Sequence, residues 1–150
     1  MNSRGFSLAE VVVVVAIIAI LAVIGVGAFV SGRQSAEFDA VSDGIVSVLE
    51  KARSDALAGK GGTNFGVKIN ASSYVFFAGS SYNAGDSSNI TYQVSSGFTL
   101  STTLGGAGSV VIFSRLTGTP SSTGTVTITR TSPSATRVIT VASQGSLTIQ

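Results

Sequence analysis

The sequence feature that most constrains the fold is an apolar run from Val11 to Val30, which contains no charged residue. A helix rises about 1.5 Å per residue, so a run of this length spans roughly 30 Å, the thickness of a bilayer's hydrocarbon core. Its first part, Val11–Val15, has low helix propensity in water. Inside lipid, however, the backbone must satisfy its own hydrogen bonds, and this requirement favours a helix. The run therefore predicts a bilayer-spanning helix that bends most easily at Gly25 and Gly27.

Three interpretations of this N-terminal segment compete. A secretory signal peptide would use Arg4 as its positive end and residues 26–28 as its cleavage site, but its apolar core is usually only about 7–15 residues long. A plain membrane anchor explains the run and leaves Glu10 unexplained, because a carboxylate drawn into a bilayer costs roughly 2.5–3.5 kcal/mol. In the third interpretation, Glu10 has a cationic partner within the apolar layer. The alternative for Glu10 alone is that it lies at the membrane interface and stays hydrated.

The composition argues against most kinds of catalytic site. The chain contains no cysteine and no histidine, which excludes a disulfide framework, the usual zinc sites, a thiol nucleophile and any histidine-based triad. Asp86 is the only carboxylate after Asp55, so residues 61–150 cannot form a carboxylate pair for acid–base chemistry or a typical calcium site. We therefore expect no enzyme activity, no cofactor and no metal.

Beyond residue 31 the hydrophobic pattern changes to that of an amphipathic helix. Apolar residues recur at steps of three and four, as expected for one buried helix face: Phe38, Val41, Ile45, Val48, Leu49, Ala52 and Ala56. Gly59 begins a glycine-rich stop signal. The pattern predicts one long helix from Phe6 to about Ala58.

The remainder of the chain is rich in Ser, Thr and Gly and has the short apolar runs of a β-rich domain. The predicted strands are Phe65–Ile69, Tyr74–Ala78, Ile90–Val94, Phe98–Leu100, Val110–Phe113, Val126–Thr129, Val138–Val141 and Leu147–Ile149. The connectors Ala78–Ser88, Gly105–Ser109 and Thr117–Gly124 are predicted to be exposed turns and loops. No further helix is expected.

The segment from Arg4 to Glu10 reads Arg-Gly-Phe-Ser-Leu-Ala-Glu and precedes the apolar run directly. It resembles the type III signal of type IV pilins and type II secretion pseudopilins, in which a short leader ends in Gly and the mature chain has Phe first and Glu fifth. The resemblance implies that prepilin peptidase cuts between Gly5 and Phe6 and methylates the new Phe6 amine. It also implies that Glu10 forms an assembly salt bridge with the Phe6 amine of a neighbouring subunit.

Three further segments resemble the H-type minor pseudopilins of the GspH/FimT family: residues 51–57, residues 110–113 with Gly118, and residues 137–145. The family resemblance implies a stalk helix packed on a small two-sheet head. The expected fold class is α+β, with a long N-terminal helix, half hydrophobic and half amphipathic, on an antiparallel β-rich head. The corresponding divisions are a leader at 1–5, a transmembrane and filament-core helix at 6–30, an amphipathic helix at 31–60 and the head at 61–150.

The function that this resemblance implies is a non-enzymatic subunit of a type IV pilus or a type II secretion pseudopilus. Its implied partners are prepilin peptidase, other pilin or pseudopilin subunits, membrane lipid before assembly and the inner-membrane assembly platform. The subunit would be stored in the bacterial cytoplasmic membrane as a single-pass protein, with its head outside the cytoplasm, and then join the filament.

Charge distribution bears on the alternatives. Residues 61–150 carry four cations and one carboxylate, whereas residues 31–60 carry four cations and five carboxylates, which favours weak head-to-stalk contacts between stacked subunits. Some minor pilins bind DNA for uptake, but their basic C-terminal motif has no counterpart in residues 144–150, which contain no Arg or Lys. The sequence thus favours a filament subunit over a DNA-binding minor pilin and over a plain membrane-anchored β domain.

Overall fold

The computed structural model describes residues 7–106, 108–132 and 134–150, without side-chain surroundings for residues 23–31. It divides into two compact units, residues 1–38 and residues 39–150. One helix, α1, runs from Leu8 to Leu57. The predicted helix end near Ala58 is therefore confirmed to within one residue, whereas the predicted start at Phe6 lies outside the described residues.

Within the second unit, one face of α1 is buried in the way the apolar spacing predicts. Ile45, Leu49, Ala52 and Ala56 are fully buried. The one glycine on this stretch, Gly44, faces Tyr74, because a Cβ there would stand 2.9 Å from the tyrosine hydroxyl. Close approach of the helix to a strand, rather than a break in the helix, explains this glycine.

The helix ends at a glycine in the left-handed conformation, Gly59, with φ 64° and ψ 24°. A single 3₁₀ turn, Lys60–Gly62, follows it. This turn ends before the β-rich part of the chain begins at Thr63, and it forms because the glycines keep the chain coiled after the α-helical hydrogen bonds stop.

Eight strands follow and form two antiparallel sheets, which confirms the α+β fold class. The strands are β1 Phe65–Ile69, β2 Ser73–Ala78, β3 Ile90–Gln93, β4 Phe98–Leu104, β5 Val110–Phe113, β6 Gly124–Arg130, β7 Ala135–Val141 and β8 Leu147–Ile149. The first sheet has the order β3-β2-β1-β5 and the second the order β4-β6-β7-β8. Each of the eight predicted runs corresponds to one of these strands.

The first sheet is covered on both faces at its centre. Phe76 stacks on Phe65 with ring centroids 5.6 Å apart, on the face that carries the Lys51 ammonium over Phe76. On the opposite face Phe77 lies over Gly66, where a Cβ would stand 2.5 Å from its ring. Tyr82, from the following loop, covers Phe77 edge-on at 5.4 Å. The predicted loop after β2 therefore contributes to the core.

The loop at residues 117–124 differs from the exposed connector that was expected. Gly118 and Ser122 in this loop are buried, and Gly124 already belongs to β6. The loop lies along the edge of β5, because the Ser121 N–H donates to the Ile112 carbonyl at 2.7 Å and the Ile112 N–H donates to the Ser121 hydroxyl at 3.1 Å. Its backbone covers an edge that would otherwise be open to pairing with another chain.

Candidate assembly site

The first candidate site is the N-terminal end of α1, where Glu10 lies in the first helical turn. The Ser7 hydroxyl accepts a hydrogen bond from the Ala9 N–H at 3.3 Å, and the Ser7 carbonyl accepts one from the Glu10 N–H at 3.0 Å. Ser7 is thus the N-cap, and Ser7 to Glu10 has the spacing of a capping box. The sequence analysis did not predict this N-cap, although the Ser-x-x-Glu spacing of residues 7–10 is a known signal for one.

The Glu10 carboxylate therefore has a local role as well as its expected role in assembly. A negative charge in the first helical turn is stabilised by about 0.3–1 kcal/mol through the partial positive charge of the helix N-terminus. Glu10 itself is exposed. Gly5 and Phe6, the predicted cleavage and methylation residues, lie outside the described residues, so the predicted Phe6–Glu10 pairing stays a prediction.

The second feature of this end is apolar side chains that no described group covers. Ten large hydrophobic residues between Leu8 and Leu21 are 46% to 82% exposed. They surround the helix instead of forming one stripe, because they include the five consecutive valines from Val11 to Val15. Exposed apolar surface on this scale is characteristic of a region that binds protein or lipid.

In the part of the chain that the structure describes, no helix has an apolar stretch long enough to cross a bilayer.

A second cluster, at the C-terminal end of α1, brings together all three segments of the family resemblance. The Arg53 guanidinium donates to the Gln144 carbonyl at 3.0 Å. Gly145 lies so close that a Cβ would stand 2.7 Å from both Arg53 Nε and the Gly118 carbonyl oxygen. Gly118 in turn packs against Leu57, with a hypothetical Cβ 2.7 Å from its Cγ. Arg53 is therefore not a freely solvated residue of the helix face, because its guanidinium holds the β7–β8 turn on α1.

Asp55, on the same helix end, lies between two ammonium groups. Lys51 Nζ is 2.6 Å and Lys60 Nζ is 3.4 Å from its carboxylate, whose side chain is 18% exposed. Burial raises the pKa of Asp55, but the hydrogen bonds and charges of Lys51 and Lys60 together outweigh burial and leave it below the usual value. The carboxylate therefore stabilises the folded head in its ionised form.

A third ion pair fastens β7 to the first turns of α1 in the second unit. Arg137 Nη2 lies 2.6 Å from Asp39 Oδ1, and Arg137 Nη1 lies 3.4 Å from the hydroxyl of the fully buried Ser42. Lys68 donates to the Ser109 hydroxyl at 2.6 Å. Arg137 and Lys68 are therefore both engaged within the fold, which reduces the charge available for a nucleic-acid backbone.

Nothing in the described residues indicates a catalytic or metal centre. No group of three or more carboxylates is placed there to hold a metal ion. The isolated head carboxylate, Asp86, is exposed and accepts hydrogen bonds from the Ser88 N–H and hydroxyl, each 2.8 Å long. These bonds, that from the backbone first, hold the pKa of Asp86 below its usual value. Asp86 thus has the features of a turn residue.

Comparison with known proteins agrees with this geometry. A family model described as "Prokaryotic N-terminal methylation motif" matches residues 1–26, and one described as "Type II transport protein GspH" matches residues 42–145. A solved structure, of the minor pseudopilin EpsH from the Type 2 Secretion System of Vibrio cholerae, is similar with a TM-score of 0.55 and 17% identity. The similarity covers 72% of this chain and 91% of that chain. No curated protein matches the chain.

Proposed function

The chain belongs to the family of the type II transport protein GspH, and from this membership we propose how it enters a filament. It is a pilin-type structural subunit in the pseudopilin class of type II secretion. Our proposal concerns what that classification leaves open, namely how the N-terminal end is processed and which groups set the position of the subunit among its neighbours.

Processing is the first step. Prepilin peptidase cleaves between Gly5 and Phe6 and methylates the Phe6 amine, and the subunit waits in the inner membrane with its head outside the cytoplasm. The matched methylation motif, which covers residues 1–26, supports this step. Cleavage removes Arg4 and creates a cationic amine four residues before Glu10, close to the capped start of the helix.

Assembly is the second step, in which the platform in the inner membrane moves the apolar end of α1 from lipid into a bundle of neighbouring helices. Lipid tails are as apolar as valine, so this transfer has little hydrophobic driving force, and helix association depends on packing and on polar pairing. An unpaired carboxylate in such a bundle costs several kcal/mol, whereas a carboxylate paired with an amine costs much less. Pairing between Glu10 and the Phe6 amine of a neighbour therefore selects the axial register.

The observation that supports this mechanism best is the combination at one helix end of a first-turn carboxylate with apolar side chains exposed on all sides. The capping interaction of Ser7 alone would explain Glu10 on an ordinary soluble helix. It does not explain why the next residues, from Val11 to Leu21, lack the polar face that a soluble helix exposes to water. A charge at the edge of an apolar bundle explains both.

The rival DNA-binding role has less support, because Arg137 and Lys68 are held by Asp39 and Ser109. The head would instead form the outer surface of the filament and contact other subunits.

The test is the substitution of Glu10 by Gln and by Ala in the full chain, with Glu37→Gln as the matched control. Glu37 lies on the same helix and forms an exposed ion pair with Arg33 at 3.1 Å, a kind of pair worth little to stability. We expect both Glu10 variants to be inserted and cleaved normally but to be recovered in sheared filaments at less than about one tenth of the wild-type level, since each 1.4 kcal/mol is about tenfold. Glu37→Gln should be incorporated normally. Wild-type recovery of both Glu10 variants would refute the pairing mechanism.

A further inference from the structure

The first sheet has one edge that no other part of the described chain covers. β3 forms this edge and pairs with β2 on one side only. The opposite edge, β5, is covered by residues 119–121, and the outer edge of β4 in the second sheet is bonded by Ala71 and Gly108. β8 is also open but only three residues long, and short edge strands are one way in which proteins limit unwanted pairing. β3 is therefore the longer of the two open edges.

The register shows which backbone groups of β3 are free. The Val94 N–H, one residue beyond the strand, donates to the Ser72 carbonyl at 2.9 Å, and hydrogen-bonded pairs recur at every second residue of an antiparallel ladder. The even-numbered residues of β3 therefore bond to β2, whereas the N–H and C=O groups of Thr91 and Gln93 point away from it. Neither residue forms another hydrogen bond within the described part of the chain, so the edge offers two donors and two acceptors.

The β3 edge lacks the usual protection against pairing. Its sequence, Ile-Thr-Tyr-Gln, contains no charged residue and no proline, which are the residues that commonly block an open edge. Ile90 is 45% exposed, more than any other large hydrophobic residue in the described strands. Ile90 lies opposite Phe76, and Tyr92 stacks on Tyr74 with ring centroids 5.2 Å apart. The aromatic face of the sheet thus continues to its open edge.

We propose that this edge receives an extended strand from the head of a different filament subunit, which adds a fifth strand to the four-stranded first sheet. The proposal rests on the filament-subunit function given above and identifies a surface by which the head meets a neighbour. The backbone groups of Thr91 and Gln93 would bond to the added strand, and such bonds require an extended polypeptide rather than a small molecule.

The same register predicts the pattern of the added strand. Its residues opposite Ile90 and Tyr92 would occupy non-hydrogen-bonded positions, where opposing Cα atoms are only about 4.5 Å apart and side chains pack closely. Thr91 and Gln93 are exposed on the other face of the sheet. Successive side chains of a strand point to opposite faces, so the added strand should alternate between apolar residues opposite Ile90 and Tyr92 and polar residues between them.

The direction of α1 argues against self-pairing of two β3 edges. Within the second unit α1 runs along the face of the first sheet, because a Cβ on Gly44 would stand 2.9 Å from the Tyr74 hydroxyl and the Lys51 ammonium lies 4.4 Å from the Phe76 ring centroid. Two identical edges pair antiparallel about a two-fold axis normal to the sheet. That axis would reverse α1, whereas subunits of one filament share an orientation. A strand from a different subunit has no such restriction.

Proline substitution in the full chain tests whether the contact depends on the backbone. Thr91→Pro and Gln93→Pro each remove one outward N–H, and an edge strand tolerates proline where the N–H faces solvent. We expect each to lower recovery in sheared filaments about tenfold through the lost hydrogen bond. Thr91→Ala and Gln93→Ala keep the N–H and should be recovered normally.

The matched control is Ile149→Pro on the other open edge. Val138 and Gln150 exchange hydrogen bonds, so the Ile149 N–H points away from β7 just as the Thr91 N–H points away from β2. This control should be recovered normally. Thermal melting of every variant verifies that the head stays folded.

Photo-crosslinking identifies the occupant. Gln93→p-benzoylphenylalanine in the full chain places a reactive group on an exposed edge residue, in membranes that also contain assembled filaments. Mass spectrometry of the crosslinked peptide should find a head segment of another filament subunit in which apolar and polar residues alternate. Thr148→p-benzoylphenylalanine, at an exposed residue of β8, should not yield that peptide.

Several outcomes would overturn the proposal. Normal recovery of both β3 proline variants would refute strand addition, and equal losses in the alanine variants would mean that side chains rather than backbone make the contact. A crosslink from position 93 to this chain's own sequence, or to a protein outside the filament, would refute the occupant. If a proline variant unfolds, the absence of any crosslink from position 93 in filaments that contain the subunit refutes the surface. Failure of the unaltered chain to enter filaments would instead refute the proposed function.

Discussion

The contact between Arg53 and Gly145 predicts a large loss of stability from the addition of a single methyl group. Gly145 has φ 77°, and a Cβ there would stand 2.7 Å from both Arg53 Nε and the Gly118 carbonyl oxygen. Gly108 has nearly the same conformation, φ 70°, but a Cβ there meets nothing within 4 Å. Gly145→Ala and Gly108→Ala therefore differ in the space around the methyl group and hardly at all in backbone conformation.

The magnitudes follow from these two environments. Both variants incur the left-handed penalty of about 1–2 kcal/mol, offset by about 0.4–1 kcal/mol from the stiffer unfolded chain. At Gly145 overpacking adds about 1–3 kcal/mol, and displacement of Arg53 weakens its bond to the Gln144 carbonyl, a charged hydrogen bond worth about 1.5–3 kcal/mol. We expect Gly108→Ala to cost about 1 kcal/mol and Gly145→Ala about 3–5 kcal/mol, a large part of the roughly 5–15 kcal/mol typical of a domain.

Urea unfolding of residues 31–150, followed by circular dichroism, measures the difference between the two variants. Equal m-values would show that both variants expose the same amount of surface when they unfold. If the two free energies of unfolding agreed to within about 0.5 kcal/mol, a size typical of neutral substitutions, the space around Gly145 would not be restrictive. The assignment of Arg53 as the fastener of the β7–β8 turn would then be wrong.

Three further predictions concern the pH response, the head fragment and the N-terminus. Asp55→Asn should lower the free energy of unfolding at neutral pH, and its deficit should disappear as pH falls through the lowered pKa of Asp55, because the ionised carboxylate stabilises the head only above that pKa; a deficit that persists in strong acid would contradict the ion-pair role. Residues 31–150 should be a folded monomer by gel filtration and circular dichroism, and aggregation without a folded signal would contradict the chosen boundary. Mass mapping of membrane-extracted protein should find methyl-Phe6 at the N-terminus, whereas a mature end near Phe29 would support a secretory signal instead.

The strands could be predicted from the sequence because each contains a short apolar run between polar connectors, continuous in β2 and β5 and alternating with threonines in β6. The errors lie at polar strand ends. β4 continues from Leu100 to Leu104, and β7 begins at Ala135 rather than Val138, since both extensions pair with β6. Thr102, for example, faces Val126 across this pairing. Backbone hydrogen bonds extend a strand wherever a neighbour offers partners, and side-chain hydrophobicity does not record them.

The cluster at the end of α1 could not be predicted from local pattern. Arg53 lies on a helix where charged residues are normally solvated, and its partner is a backbone carbonyl 91 residues away. Any residue type can supply a carbonyl, so Gln144 gives no sequence signal. The available signal was indirect, because Gly118 and Gly145 are places where a side chain would collide with this contact.

Gly145 and Leu116 both have left-handed backbone conformations near this end of α1, but for different reasons. Gly145 is required by the fold itself, since neighbouring atoms occupy the space that a side chain would need. Leu116 has a conformation that suits glycine, and its side chain is 64% exposed. Glycine at position 116 would avoid a backbone cost of about 1–2 kcal/mol at little loss of packing. The fold thus requires glycine at position 145 and accommodates a left-handed leucine at position 116, where the Leu116 N–H donates to the Ala56 carbonyl at 2.9 Å.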